Sequence, residues 1–390
     1  MRLPEAAPTL AFVRLLDRYL LREFLIPLGF CLGGFLVLWA AFDLFGQLHW
    51  LQEQGLTVLE IGKYYCFKAP EFLILVLPVT LLLAMLYTLT NLARHHEITA
   101  IRAAGISLAR LSLPYLAVGI FSSVLLFALD EICVPRTTEI ADQLFVRHGQ
   151  LKFQGAQRRP VRNLVFSKTV SAHETRHWFI GSYNQLTGEM SKPHLDWDLP
   201  DRSSRSIDAD RAVYTNNIWT FFEMQEFRRF SSTNALLQKM PPTNVLAFPE
   251  FSETPEMIRS EIVINNKYYH QSATKSADIP VSQIHNYLRL HPQPEDFIRP
   301  WIYTKLQGRF AGPFACLVVV LVAIPFGAAS GRRNVYVGVA ASILIFFTYY
   351  IVQQMGFTFG ETGKVPPWLG AWLPNLFFTL GSLWMISKVR

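Results

Sequence analysis

Two short segments of this chain carry residue types that could do chemistry directly. His173-Glu174-Thr175-Arg176-His177 has the H-E-x-x-H spacing in which two imidazoles hold zinc and the glutamate serves as general base. That chemistry needs both histidines on one face of a helix, an apolar setting and a third ligand. Here the segment lies between a strand-like run and the aromatic stretch 178–183, so it reads as a solvated hairpin turn. A membrane-anchored zinc metalloprotease using His173, Glu174 and His177 is kept as an alternative. Gly360-Glu361-Thr362-Gly363-Lys364 resembles the end of a phosphate loop, but it lacks the earlier glycine and follows no strand. No Walker A, kinase or Gly-x-Ser-x-Gly pattern occurs elsewhere. Any nucleotide energy must therefore come through a partner, and no metal or cofactor is expected on the chain itself.

A third segment is polar in a different way. Ala93-Arg94-His95-His96-Glu97-Ile98-Thr99-Ala100-Ile101-Arg102-Ala103-Ala104-Gly105 lies between two long apolar runs. Glu97, Ile101 and Ala104 recur at i, i+4 and i+7, the spacing of one helical face. Gly105 stands where a residue of positive φ commonly closes a helix. A rigid, half-apolar helix at a membrane surface, flanked by Arg94 and Arg102, is something a partner can push on. The competing reading is a solvated turn with chance periodicity.

The elements that must hold these segments follow from composition. The 390 residues are 51% hydrophobic and 17% charged, with a mean hydropathy of +0.23. That is too apolar for a soluble enzyme and too polar for a membrane bundle alone. Uncharged runs cover 72–93, 111–129, 310–331, 334–360 and 365–387, and a sixth at 24–46 holds one acid, Asp43. Each reaches the roughly 20 residues a helix needs to cross about 30 Å of hydrocarbon, so six spans are expected. The first run is longer than the apolar region of a cleaved signal, and no small-x-small site follows it. Ahead of it, Arg14, Arg18 and Arg22 recur every four residues among leucines, a basic amphipathic lead-in.

With the N-terminus inside, eleven Lys and Arg flank the inner helix ends against three in the short outer loops. Both termini and the 94–105 connector then face the cytoplasm, and the long polar segment from about 135 to 305 faces outward. The net charge of +7 belongs to that inner rim and calls for no nucleic acid. Cys66 and Cys133 fall near the outer boundary, with their pairing left open, and the outer segment has no cysteine of its own.

Residues 136–300 change character. Strand-like stretches at 161–169, 177–184, 206–215, 218–227 and 261–269 are separated by turn chemistry, with Asn216-Asn217 between two of them and Asn265-Asn266 inside the last. Short strands without intervening helices read as an antiparallel sandwich or jelly roll. The stretch 192–205, rich in Pro, Asp and Ser, reads as a loop, and 281–290 as a helix. The expected division is 1–134 for the first three spans with the connector, 135–277 for an all-β jelly roll, and 278–390 for a connecting helix and three more spans. Asp43 and Glu71 are acids near the outer membrane boundary; Glu71 reads as hydrated, while Asp43 is left open between a hydrated and a functional role. Arg136 and Arg147, past the third span, read first as surface charges.

With these residues in place, the chain resembles the LptF/LptG (YjgP/YjgQ) family, the permease subunits of the lipopolysaccharide transporter. The resemblance starts at Leu16-Asp17-Arg18-Tyr19-Leu20 and runs through Glu97-Ile98-Thr99-Ala100-Ile101-Arg102-Ala103-Ala104-Gly105, similar to the family's connector. It resumes at Ile284-His285-Asn286-Tyr287-Leu288. It closes with Pro366-Pro367-Trp368-Leu369-Gly370-Ala371-Trp372-Leu373-Pro374 and Ser382-Leu383-Trp384. The opening, the His-Asn-Tyr and the Pro-Pro segment look closer to LptG than to LptF.

The resemblance implies six spans in two sets of three, with an inserted periplasmic jelly roll, in the inner membrane. It implies a second, LptF-like permease subunit, a dimer of the ATPase LptB that binds the ATP, and periplasmic bridge proteins like LptC and LptA. The cargo implied is lipopolysaccharide or a related anionic glycolipid. By analogy Glu97 sits in a coupling helix and pairs with a basic group of the ATPase. For the lipid, Phe30, Leu36 and Trp39 on the first span and Phe346, Tyr350 and Met355 on the fifth supply apolar walls. Family members often carry lysines at the outer end of the first span, whereas Asp43-Leu44-Phe45-Gly46-Gln47-Leu48-His49 has none. That leaves Arg136 and Arg147 as the nearest candidate cations on this subunit. An ABC-linked mechanotransmitter that carries no lipid in its own bundle is a further alternative.

Overall fold

A computed structural model describes residues 15–53, 57–137, 161–171, 173–185, 187–230, 238–269, 279–328 and 335–388. The chain divides into two compact units, one of residues 1–148 with 303–390 and one of residues 149–302.

The first unit is helical. Helix α1 (Leu15–Glu53) and α2 (Val58–Arg94) are long and apolar. Thr57 and Glu60 open α2 as sequence dictates: the Glu60 carboxylate accepts from the Thr57 backbone N–H at 2.9 Å. The short α3 (Glu97–Ala103) follows, then α4 (Leu108–Ala128), continued by a π-helical turn, Leu129–Cys133. Ser107 caps α4 by accepting from the Arg110 N–H. After the second unit, α7 (Arg299–Ala311), α8 (Ala315–Ala328), α9 (Val335–Glu361) and α10 (Pro367–Lys388) complete it.

Among the described residues, five helices are long and apolar enough to cross a membrane, and α7 with α8 makes a sixth candidate, bent by 55°. The straight span expected over 310–331 is therefore broken. Pro313 sits in the break, where its missing N–H and its ring cannot continue a helix. The polar part of α7 is matched inside the unit: Lys305 pairs with Glu361 at 2.7 Å, and the buried Arg309 pairs with the buried Asp130 of the π turn. A buried charge is tolerated when it is paired in this way.

Helix α2 is the centre of this unit, with more than half of its apolar stretch buried and almost none of α1's. Leu81, Leu82 and Met85 of α2 pack with Leu20 and Phe24 of α1, Tyr115 of α4 and Val320 and Ala323 of α8. Helices α9 and α10 approach through glycine. A Cβ on Gly370 would lie 2.6 Å from the Gly356 carbonyl oxygen and 2.9 Å from the Gly360 Cα, so only hydrogen fits.

Among its described residues the second unit holds an antiparallel sheet of eight strands: β1 (Val161–Ser171), β2 (Glu174–Tyr183), β3 (Met190–Asp198), β4 (Ser204–Asp208), β5 (Arg211–Thr215), β6 (Ile218–Arg229), β7 (Gln238–Lys239) and β8 (Thr243–Phe248). The path runs β1-β2-β3-β4-β6-β5, with β7 and β8 also on β6. Asn216 and Asn217 turn β5 into β6 at φ 54 and 63, as their side chains favour. Behind the sheet lie Trp178, Trp197, Trp219, Phe221, Phe248 and Phe251, closed over by Ile258 and Ile262 of α5 (Pro255–Tyr269). Helix α6 (Val281–Leu290) follows, within the range expected from sequence.

Three sequence expectations fail here. The first half of the loop expected at 192–205 is β3, because Met190, Pro193, Leu195 and Trp197 face inward and the polar residues between them face out. The single strand at 206–215 is two, β4 and β5, interrupted at Ala209-Asp210. The strand at 261–269 is the second half of α5. Met257, Ile258, Glu261 and Ile262 are buried at helical spacing, and Pro255 occupies the first helical position after Thr254, whose hydroxyl accepts from the Met257 N–H. Asn265-Asn266 lies inside that helix and makes no hairpin.

Candidate functional site

The 94–105 connector folds as a helix, closed at both ends by the backbone. His96, at φ 58, precedes α3, and Gly105, at φ 84, follows it. Ile98 is buried, and Ile101 packs half-buried against the bundle core. Glu97 is half-buried at the first turn, where a carboxylate favours the helix dipole. Arg94, Thr99, Arg102, Ala104 and Gly105 are exposed. The face shared by Glu97, Ile101 and Ala104 therefore turns from the core at Ile101 to solvent at Ala104.

Two side-chain bonds tie this end of the bundle together. The Tyr19 hydroxyl donates to Glu97 Oε2 at 2.8 Å, and Arg110 Nη2 pairs with Asp17 Oδ2 at 2.7 Å. Asp17 and Tyr19 belong to the Leu-Asp-Arg-Tyr segment of α1. Sequence reasoning singled out that segment and the connector but did not join them.

At the far end of α1, Asp43 is not alone. It accepts from the Tyr65 hydroxyl at 3.0 Å and faces Lys68 Nζ at 3.5 Å, both on α2. Lys68 also stands 5.2 Å from the centre of the Tyr64 ring, and Trp39 stacks on Phe72 with 4.5 Å between centroids. Lys68, counted among the outer-loop lysines but not named as a lipid-facing cation, is thus a charged group beside Asp43. Of the candidate apolar walls, Phe30, Tyr350 and Met355 are exposed, while Leu36, Trp39 and Phe346 are half-buried. Phe346 and Tyr350 stack along α9, and both α1 and α9 pack against α2. Arg136 is exposed just past the π turn; Arg147 lies outside the described residues.

The chemistry-bearing motifs resolve differently. His173 and His177 lie on the β1–β2 hairpin, so they lack the common helical face that zinc hydrolysis needs. His177 Nδ1 bonds Ser167 at 2.7 Å, and Glu174 accepts from Trp197 Nε1 and pairs with Arg176. Among the described residues no cluster of three His, Cys, Asp or Glu is placed to hold a metal ion. Gly360–Lys364 is the frayed end of α9, with Gly363 at φ 72. All four cysteines are free thiols, Cys66 and Cys133 included.

In the second unit, Glu261 of α5, Tyr287 of α6 and His291 form a buried knot. The Tyr287 hydroxyl donates to Glu261 Oε1 at 3.1 Å, and His291 Nε2 lies 3.1 Å from the same oxygen. Burial pushes the Glu261 carboxyl up to about 8 and the His291 imidazole down to about 4. Sequence reading missed Glu261 because it took the segment for a strand.

The profile described as lipopolysaccharide export system permease LptF/LptG matches residues 18–388, nearly the whole chain. The chain belongs to the LptF/LptG family. No curated protein matches it. A member of this family is a transport subunit of lipopolysaccharide export and not an enzyme. The helical unit with its candidate spans and the inserted antiparallel sheet are the architecture of a multi-pass LptF/LptG permease. Several motifs that carried the resemblance have a physical job in this member. Asp17 and Tyr19 clasp the α3 end, Tyr287 closes the buried knot, and Gly370 lets α10 touch α9.

Proposed function

We propose that this LptF/LptG chain is one of two permease subunits of an ATP-driven exporter in the inner membrane. It draws lipopolysaccharide, or a related anionic glycolipid, out of the outer leaflet of that membrane and hands it to a periplasmic bridge. In this reading both termini and α3 face the cytoplasm and the β domain faces the periplasm. An LptB-like ATPase dimer binds the ATP, an LptF-like subunit completes the bundle, and LptC- and LptA-like proteins extend the bridge.

The observation that carries the reading is the clasp at α3. A helix whose inner face is seated on the core and whose first carboxylate is held by α1 cannot be displaced alone. Pressure on its exposed side moves α1 and α2 with it. Helix α1 is little buried in this chain and offers Phe30 to the surroundings, as a lipid-facing or partner-facing wall must.

Photo-cross-linking residues placed at 30, 36, 39, 346, 350 and 355 test the cargo path. Adducts with lipopolysaccharide that decline when ATP is supplied to the assembled complex support it. A complex that hydrolyses ATP normally yet gives no lipid adduct at any of these positions excludes lipid passage along these walls. It would favour a mechanotransmitter.

A further inference from the structure

Helices α5 and α6 enclose an open cleft of about 440 Å³ within the second unit. Its walls are two helical stripes. Glu256, Arg259, Ser260 and Val263 recur at i, i+3, i+4 and i+7 along α5. Gln283, Asn286 and Arg289 recur at i, i+3 and i+6 along α6. Their neighbours Ile284 and Tyr287 point the other way, into the core. The His-Asn-Tyr motif is thereby split between an inward anchor, Tyr287, and a cleft residue, Asn286.

The chemistry of the lining is lopsided. Among the described lining residues, two guanidiniums offer only donors, two carboxamides and a hydroxyl offer donors and acceptors, one carboxylate opposes them, and Val263 and Ile264 form an apolar flank. Arg289 Nη2 donates to Asn286 Oδ1 at 3.0 Å, which leaves the Asn286 amide N–H groups to donate onward. Arg259 borders the Tyr183 hydroxyl. Behind the cleft, the Glu261–Tyr287–His291 knot holds the two helices together, so the arginines are presented from a fixed wall. A ligand that suits this lining carries several oxygens and at least one anionic group that a guanidinium can grip with two bonds.

We propose that the α5–α6 cleft binds the phosphorylated sugar head of the exported lipid, as a second station outside the membrane bundle. This rests on the export reading above for its substrate class, but the station itself is argued from the cleft.

The test titrates the full chain in detergent with a deacylated, phosphorylated amino-sugar disaccharide and with its dephosphorylated counterpart. The phosphorylated form should bind, weaken as salt rises, and lose about tenfold or more in affinity when Arg259→Ala and Arg289→Ala are combined. The Arg259→Lys, Arg289→Lys pair should recover only part of that loss, since a lysine cannot form the two-bond fork. Equal binding of the two disaccharides, or unchanged affinity in the alanine pair, overturns the proposal. Inorganic phosphate matching the disaccharide removes the sugar from it, and preferential binding of an acidic peptide makes the cleft a protein interface instead. A cleft that binds no disaccharide in a chain whose bundle still cross-links lipid defeats this inference alone. Loss of both would defeat the export reading as well.

Discussion

The Tyr19 hydroxyl donates to the Glu97 carboxylate at 2.8 Å, joining the start of α1 to the first residue of α3. A carboxylate has acceptor capacity beyond one hydroxyl, so Glu97 can hold Tyr19 and still meet a cation from a partner. The bond is exposed, and its loss should cost the fold no more than about 1 kcal/mol.

Substitutions at the two ends of this bond should therefore differ. Glu97→Ala should leave the chain inserted and melting within a few degrees of wild type, while the ATPase dissociates or stops driving export. Tyr19→Phe should keep the ATPase bound but lower export per ATP hydrolysed, because α3 is no longer tied to α1. Co-purification and the ratio of lipid moved to ATP consumed separate the two. Identical behaviour of both variants would show that Glu97 serves the clasp alone.

Lys68 and Asp43 lie 3.5 Å apart at the other end of α1, half-screened by Tyr64 and Trp39. In the export reading, Asp43 competes with a lipid phosphate for this ammonium. Asp43→Asn should raise affinity for an anionic lipid by up to about fivefold at low salt, the scale of ~1 kcal/mol for a partly exposed pair. Lys68→Gln should remove the gain. Affinity that is the same in wild type and Asp43→Asn at low ionic strength would remove Lys68 from the lipid path.

The buried knot makes a pH prediction. Folding raises the Glu261 carboxyl from 4.5 to about 8, so its support for the fold is full below 4.5 and is lost as pH climbs through 8. Folding lowers the His291 imidazole from 6.5 to about 4, so its support is full above 6.5 and is lost as pH falls through 4. The two slopes cancel between 4.5 and 6.5, and the second unit should be most stable there. Between pH 6.5 and 8 the pair should cost roughly 2 kcal/mol, at ~1.4 kcal/mol per pH unit. Lys168 and Glu295 also face the knot and modulate it electrostatically. Tryptophan fluorescence melts from pH 4 to 9 read the profile, and Glu261→Gln should flatten its alkaline side. An alkaline fall that persists in Glu261→Gln assigns it to another group.

Much of the membrane unit was legible in the sequence because uncharged length is a direct physical requirement of hydrocarbon. The break at Pro313 was legible too, had its place in the apolar run been given weight over the run's length. Strands β1, β2 and β6 and the Asn216-Asn217 turn followed from alternation and turn chemistry. The run Ile262-Val263-Ile264 misled, since β-branched residues favour strands, whereas Thr254-Pro255 starts a helix and the core then recruits its apolar face. In β3, Pro193 and two aspartates hid an inward alternation that ends in Trp197. The clasp at α3 is a contact across 78 positions of sequence, which spacing along a single helix cannot reveal.

The account stands most directly on one reconstitution. Proteoliposomes holding this chain, its partner permease subunit and the ATPase, loaded with labelled lipopolysaccharide, are mixed with a soluble periplasmic acceptor. Lipid reaching the acceptor should depend on ATP and fall to the ATP-free rate in Glu97→Ala, with the variant still correctly inserted. Transfer at the same rate with and without ATP, or at wild-type rate in Glu97→Ala, would contradict export driven through α3.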